Sequence, residues 1–275
     1  MLYLERIPAA PLSRLVQVLW YSHVPVAAQR YERILPTGCT QVILNLERDC
    51  LHDCLEGAPD QLIAPALVVG GRSTYEIVAA RDMVSLIGIS FKPGGFAAFA
   101  ADAADRFSNR SIPLEAAWGI ASLNLRSRLR ETDDIRTRFR IIEAFLLERL
   151  AACARPNADA RRRLVGFALE NFDAAPALST VREVARSTGL SERRFSQIFR
   201  EEVGLTPKVW CRIQRFQRAV RMLHSGADIP WAGLALDCGF YDQSHFANEF
   251  RAFSGVDATT YSANRTRWAN HIAVG

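Results

Sequence analysis

The sequence predicts an α+β chain: an amino-terminal β-barrel or sandwich, a helical connector, and a carboxy-terminal all-α domain with two helix-turn-helix units joined by a long helix. Three observations predict it. Short β-branched and aromatic runs broken by Pro and Gly fill the amino-terminal third, apolar residues at helical spacing follow, and one two-helix pattern then occurs twice. The implied division is a β-rich domain over 1–92, a connector over 93–155 and a helical domain over 160–265. A chain of 275 residues suits two compact domains better than one.

In the first part, Leu15 to Val24, Gln41 to Leu46, Ala66 to Val69, Tyr75 to Ala80 and Val84 to Phe91 are the predicted strands. Pro36-Thr37-Gly38, Gly57-Ala58-Pro59 and Gly70-Gly71 are the turn signals between them. After Pro93-Gly94-Gly95 the pattern turns helical. Ile135, Phe139, Ile142, Leu146 and Leu150 form one stripe on a helix predicted over 134–153, which either packs on the barrel or serves as a dimerisation helix. Arg155-Pro156-Asn157-Ala158-Asp159 is the expected interdomain linker.

The repeat lies beyond it. The first copy runs from Val181 to Pro207 and the second from Trp231 to Ala258. Ala185 and Gly189 match Ala235 and Gly239 at an offset of 50, while Phe195, Phe199, Arg200 and Gly204 match Phe246, Phe250, Arg251 and Gly255 at 51. Small, glycine and aromatic positions set how closely helices cross and where the chain turns, so their repetition is a repetition of structure. Thr180 with Glu183 makes a capping box, Gly189 supplies the positive φ of the turn, and Ser191 caps the second helix. Its inward stripe is Phe195, Ile198 and Phe199, which leaves Arg193, Arg194, Ser196, Gln197 and Arg200 outside. In the second copy Leu234, Phe240, Phe246 and Phe250 face inward and Gln243, Ser244, His245 and Asn248 face outward.

Those outward side chains donate to base edges and phosphate oxygens, so double-stranded DNA read in two adjacent major grooves is the predicted partner. Thr206 and Pro207 start the joining helix, expected over 207–223 and about 25 Å long at 1.5 Å per residue. Along it Arg212, Arg215, Arg218 and Arg221 recur off the apolar stripe as a solvated face, with a minority expected to touch phosphate.

Residues 160–265 resemble the DNA-binding domain of the AraC/XylS family of bacterial transcription regulators. The run from Ala235 through Gly239, Phe240, Gln243, Ser244, His245, Phe246 and Phe250 to Gly255 carries the resemblance. It implies that base reading falls mainly on Arg193, Ser196 and Gln197, with Gln243, Ser244 and Asn248 as their weaker counterparts. The pattern departs after Gly255, where Asp257 and Ala258 stand in place of Thr or Ser followed by Pro, and a weakened cap on the final helix is expected. The runs LPTGCTQVILNL and FKPGG are similar to those of an uncharacterised amino-terminal regulator subfamily. The first domain thus resembles the family's cupin-like sensor domains, which implies a small-molecule effector and a homodimer.

Net charge is +5, with sixteen basic against twelve acidic residues over 156–275 and eighteen against seventeen before it. The excess lies where the repeat lies. No stretch has signal-peptide or membrane-span character, so a cytoplasmic chain with six reduced cysteines is expected.

Cys50, His52 and Cys54, with Cys39 as a fourth group, are the one cluster of metal-ligand types, but their spacing matches no zinc pattern. No catalytic residue, no metal and no cofactor is therefore assigned, and the chain is expected not to be an enzyme. The alternative is a cysteine- or metal-based sensor, or a DNA-directed alkyl-transfer protein. The Pro-Cys-His-Arg acceptor motif of the latter is missing.

Overall fold

The computed structural model describes residues 1–24, 31–54, 60–153, 157–174, 180–226 and 230–274. The expected turn at 57–59 and residues 155 and 156 of the expected linker lie outside these residues, while Ala158 and Asp159, expected in the linker, begin a helix.

The strands are β1 (Leu2–Arg6), β2 (Val16–His23), β3 (Tyr31–Ile34), β4 (Gln41–Asn45), β5 (His52–Asp53), β6 (Gln61–Leu62), β7 (Ala66–Val69), β8 (Glu76–Ala79), β9 (Ser85–Phe91) and β10 (Ser111–Pro113). Helices α1 (Glu115–Trp118), α2 (Ile120–Arg130) and α3 (Ile135–Ala152) follow. The carboxy-terminal part comprises α4 (Ala158–Ala174), α5 (Val181–Ser187), α6 (Glu192–Val203), α7 (Pro207–His224), α8 (Trp231–Asp237), α9 (Gln243–Ser254) and α10 (Ala258–Ala263), then a last strand, β11 (His271–Val274).

A six-stranded antiparallel sheet in the order β1-β2-β9-β4-β7-β10 forms the body of the first domain. Its central strand, β9, is apolar on both faces: Leu86, Ile87, Ile89 and Phe91 are all buried. Gly88 pairs with Trp20 across β2, and a Cβ there would come within 2.2 Å of the indole, so glycine is what lets the ring lie over the strand.

The connector does not turn helical at once after Gly95. Residues 96–98 and 104–107 make single 3-10 turns, and 111–113 pair with β7 as an edge strand. The helices that follow belong to the same core. Trp118, Leu125, Leu129, Phe139, Ile142, Phe145 and Leu146 are buried with Leu19, Val42, Ile87 and Phe91. Burying each such side chain contributes about 1.5–3 kcal/mol, so α1 to α3 and the sheet stabilise one another.

A second core joins the two ends of the chain. Leu35, which follows β3, is buried with Phe216, Phe246, Phe250 and Ile272. β11 pairs antiparallel with β3, which pairs with β8, so the last strand completes a sheet of the first domain. His271 Nδ1 lies 2.7 Å from Glu32 Oε2 across that pairing. Gln217, buried on α7, donates to the Pro36 carbonyl at 2.9 Å and to Asn270 Oδ1 at 2.8 Å.

A third core holds Val165, Phe172, Val184, Ala185, Phe195, Phe199 and Trp210. Among the described residues no helix is long and apolar enough to cross a membrane.

Candidate nucleic-acid interface

The first two-helix unit, α5 and α6, forms as its capping chemistry requires. Glu183 N donates to Thr180 Oγ1 at 3.2 Å and Thr180 N donates back to Glu183 Oε2 at 3.0 Å. Gly189 makes the turn at φ +73°, and Ser191 Oγ accepts from Arg194 N at 3.3 Å to start α6. Phe195, Ile198 and Phe199 are buried.

Arg193, Arg194, Gln197 and Arg200 are exposed and Ser196 is half-buried. These side chains are not all free. Arg194 Nη1 donates to Gln197 Oε1 at 3.0 Å, and Gln197 Nε2 donates to Glu201 Oε1 at 2.8 Å. Glu201 in turn pairs with Arg161 of α4, which holds its carboxyl below the usual carboxylate range. Arg200 Nε sits 3.1 Å from Asp105 Oδ2, so the 3-10 turn at 104–107 of the first domain holds a side chain of α6. Beside it the Ser108 hydroxyl donates to the Gly204 carbonyl.

The second unit repeats the plan with different surface chemistry. Asp242 Oδ1 accepts from His245 N at 2.7 Å, and Phe246, Phe250 and Phe253 are buried. Gln243, Ser244 and Asn248 are exposed. His245 is half-buried: its ring stands edge-on to Phe240 with centroids 5.6 Å apart, and its Nδ1 accepts from Tyr241 N at 3.3 Å. That contact fixes the turn as well as the ring.

Tyr241, 86% exposed in the same turn, escaped the sequence analysis because an aromatic among buried phenylalanines reads as core. The departure after Gly255 proves harmless. Asp257 Oδ1 accepts from Thr260 N at 2.7 Å and caps α10, so the expected weakening of that cap is corrected.

The joining helix runs one residue further than expected, to His224, and is about 27 Å long. Its arginines are mostly committed rather than solvated. Arg212 makes two hydrogen bonds of 2.7 and 2.6 Å to Glu249 of α9, holding that carboxyl below its ordinary range. Arg215 lies over the Phe240 ring, and Arg218 Nη1 reaches the Asp237 carbonyl at 3.5 Å.

The cysteine cluster comes together differently from its spacing. Cys50, His52 and Asp82 bring one ligand atom each within 4.8 Å of one another, and His52 Nδ1 lies 2.8 Å from Asp82 Oδ2. Cys54 instead bridges to Ile77, and burial, followed by the Asp60 carboxylate, pushes its thiol up to about 12. Burial also pushes up Cys39, Cys211 and Cys238, each to about 11. These four thiols are protonated at neutral pH and lack the depressed pKa of a reactive nucleophile.

Residues 184–264 match the family described as a helix-turn-helix domain, and residues 4–113 match a family described as a domain of unknown function (DUF6597). The carboxy-terminal domain is similar to the DNA-binding domains of AraC-type regulators. The arabinose operon regulatory protein of Escherichia coli is 31% identical over 104 residues, which is 38% of this chain and 33% of that protein. The chain thus spans about a third of the length of the curated relatives it matches.

Two solved structures illustrate the range of the likeness. A transcriptional regulator with an AraC-type DNA-binding domain from Chromobacterium violaceum is 20% identical, with TM-score 0.36, 40% of this chain covered and 97% of that one. ToxT of Vibrio cholerae with a bound unsaturated fatty acid is 10% identical, with TM-score 0.45, 85% of this chain covered and 91% of that one.

Proposed function

We propose that the chain is a sequence-specific transcription regulator in which α6 and α9 enter adjacent major grooves of an operator. The observation that carries this is the paired arrangement itself: two helices that bury matched phenylalanines and turn Arg193, Gln197, Gln243 and Asn248 outward. On this reading Arg193, Arg194, Ser196 and Gln197 do most of the base reading, while Gln243, Ser244, His245 and Asn248 add weaker contacts. Arg200 is the exception. Its pairing with Asp105 supports a role in coupling the first domain to DNA. The cytoplasm is the compartment this function requires.

A small-molecule effector bound in the first domain is the proposed input. The hollow of about 30 Å³ bordered by Cys39, Arg72 and Glu76 holds roughly one water, so an effector would have to part the strands around it. A homodimer through the outer face of α3, where Leu147 is 44% exposed, accompanies this proposal. The raised thiols of Cys39, Cys54, Cys211 and Cys238 disfavour those four as nucleophiles, and no enzymatic role is proposed.

Capture of genomic fragments by the purified chain, with salt titration on the best one, tests the reading. Two half-sites about one helical turn apart support it. Binding with no shared motif, steeply weakened by salt, would overturn sequence specificity.

A further inference from the structure

A cleft of about 340 Å³ opens between α4, α7 and the end of α8. Its apolar walls are Phe172, Trp210 and Cys238, all buried, and the two rings lie 6.2 Å apart at 40°. Arg215, Arg218 and Arg221 line it against a single acid, Asp173. Unlike Arg212, these three arginines form no ion pair among the described residues. The two thiols in the lining, Cys211 and Cys238, are neutral, so the cleft carries a net positive charge.

Two lining residues each hold a donor that lacks an acceptor. Trp210 Nε1 and Arg215 Nε are buried and find no protein partner among the described residues. A buried donor left unmatched costs free energy, and an incoming acceptor would recover it.

We infer that this cleft binds a small aromatic carboxylate. The chemistry follows from the walls. The guanidinium forks suit a carboxylate, the facing Phe172 and Trp210 rings suit a flat apolar body, and the volume lies at the lower end of small-molecule pockets. A duplex backbone could meet the exposed Arg221 at the rim but not the apolar floor, whose side chains are 0 to 3% exposed, so a ligand that uses both must be small.

The position also gives binding a consequence. Trp210 packs on Phe199 of the first helix-turn-helix unit, while Arg215 and Arg218 reach the Gly239 and Asp237 carbonyls of the second. Gln214, in the same lining, donates to the Thr37 carbonyl of the first domain at 3.2 Å. A bound carboxylate would therefore bridge both units and sit beside a contact with the first domain. The inference concerns a second site, distinct from the effector site proposed in the first domain, and its test uses no DNA.

Benzoate, benzamide and inorganic phosphate are titrated into the full chain, followed by calorimetry and by thermal melting. Benzoate is expected to bind with Kd below about 1 mM and to raise Tm. Arg218→Gln and Arg221→Gln, each with an unchanged melt in the absence of benzoate, are expected to weaken it by about tenfold. Arg193→Ala is expected to leave it unaltered. Trp210→Phe, which keeps an aromatic wall but removes the orphan donor and the second ring, should weaken binding several-fold. No binding by about 10 mM benzoate overturns the inference. So does equal binding of benzamide, which would mean that charge is not read. Binding of phosphate as tight as benzoate would also overturn it, identifying a bare oxyanion site for a nucleic-acid phosphate or a free ion.

Discussion

In the first helix-turn-helix unit, Arg200 is paired with Asp105 and the Gly204 carbonyl accepts from Ser108, so α6 rests on the amino-terminal domain as well as on α5. In the second unit, α9 is held from behind by Arg212 of α7, and Gln243, Ser244 and Asn248 include no arginine, the exposed Arg251 lying towards the carboxy-terminal end of the helix. Two copies of one plan have thus diverged in opposite respects. The first carries more of the exposed charge and an ion pair with the other domain, while the second shares an apolar core with that domain and carries an ion-paired tie to the joining helix. If the proposed function holds, the comparison predicts that affinity and control are concentrated in the first unit while the second positions it.

The largest effect should come from the shared framework. Phe250 is fully buried, with its ring centroid 5.2 Å from Phe216 and 5.7 Å from Tyr261. Phe250→Ala is expected to cost about 3–5 kcal/mol of stability in a urea melt, and Phe199→Ala a similar amount. A loss under about 1 kcal/mol for one and not the other would break the equivalence of the two units.

On the reading face, Arg193→Ala is expected to cost about 1–3 kcal/mol of operator binding and to relax preference at one base pair, measured against a set of single-base operator variants. A uniform loss across all variants would make Arg193 a phosphate contact instead. Asn248→Ala should cost less than about 1 kcal/mol in the same assay. If the two substitutions proved equal, the asymmetry drawn here would be lost.

The Arg212–Glu249 tie has a pH signature. Arg212 holds the Glu249 pKa below its unfolded value, so the tie's contribution is present above the ordinary glutamate range and fades as pH falls through the lowered pKa. Glu249→Gln is therefore expected to destabilise the chain at pH 7 by about 1 kcal/mol and by less near pH 3, read from melts at both values. A pH-independent loss would assign the effect to packing.

The smallest effect is also the one that bears on control. Asp105→Asn should release Arg200, a pair that is partly exposed and worth under about 1 kcal/mol, and should tighten DNA binding by a few-fold. Weaker binding in that variant would mean that Asp105 orients Arg200 for DNA rather than withholding it.

The helical half was legible because its determinants are local. A capping box, a turn glycine and phenylalanines at helical spacing lie within one stretch of chain, and Thr180, Gly189, Phe195 and Phe199 stand where those signals put them. The β half was legible only where strands are apolar. β3 reads Tyr-Glu-Arg-Ile and gains its place by pairing with β11, whose partners are some 240 residues away in sequence. β10 was hidden inside a segment read as helical, since three residues with a terminal proline carry no periodicity.

The arginines of α7 misled for a related reason. Spacing places them off the apolar stripe but does not reveal Glu249, the Gly239 carbonyl or the Asp237 carbonyl, which come from other elements. The metal-type cluster shows the same limit. Asp82 joined it from a distant turn, and Cys54 left it.

The last strand bears on how such a chain can be assembled from parts. Because β11 is appended to the helical half yet completes a sheet begun by β3, the two halves are not freely exchangeable modules. Grafting this amino-terminal domain onto another helix-turn-helix unit would leave β3 as an open edge and strip Leu35 of its cover, an invitation to aggregation. Strand and partner are inherited together or lost together, and a working chimaera would need a second crossover before residue 271, so that β11 stays with β3, as well as one before residue 158.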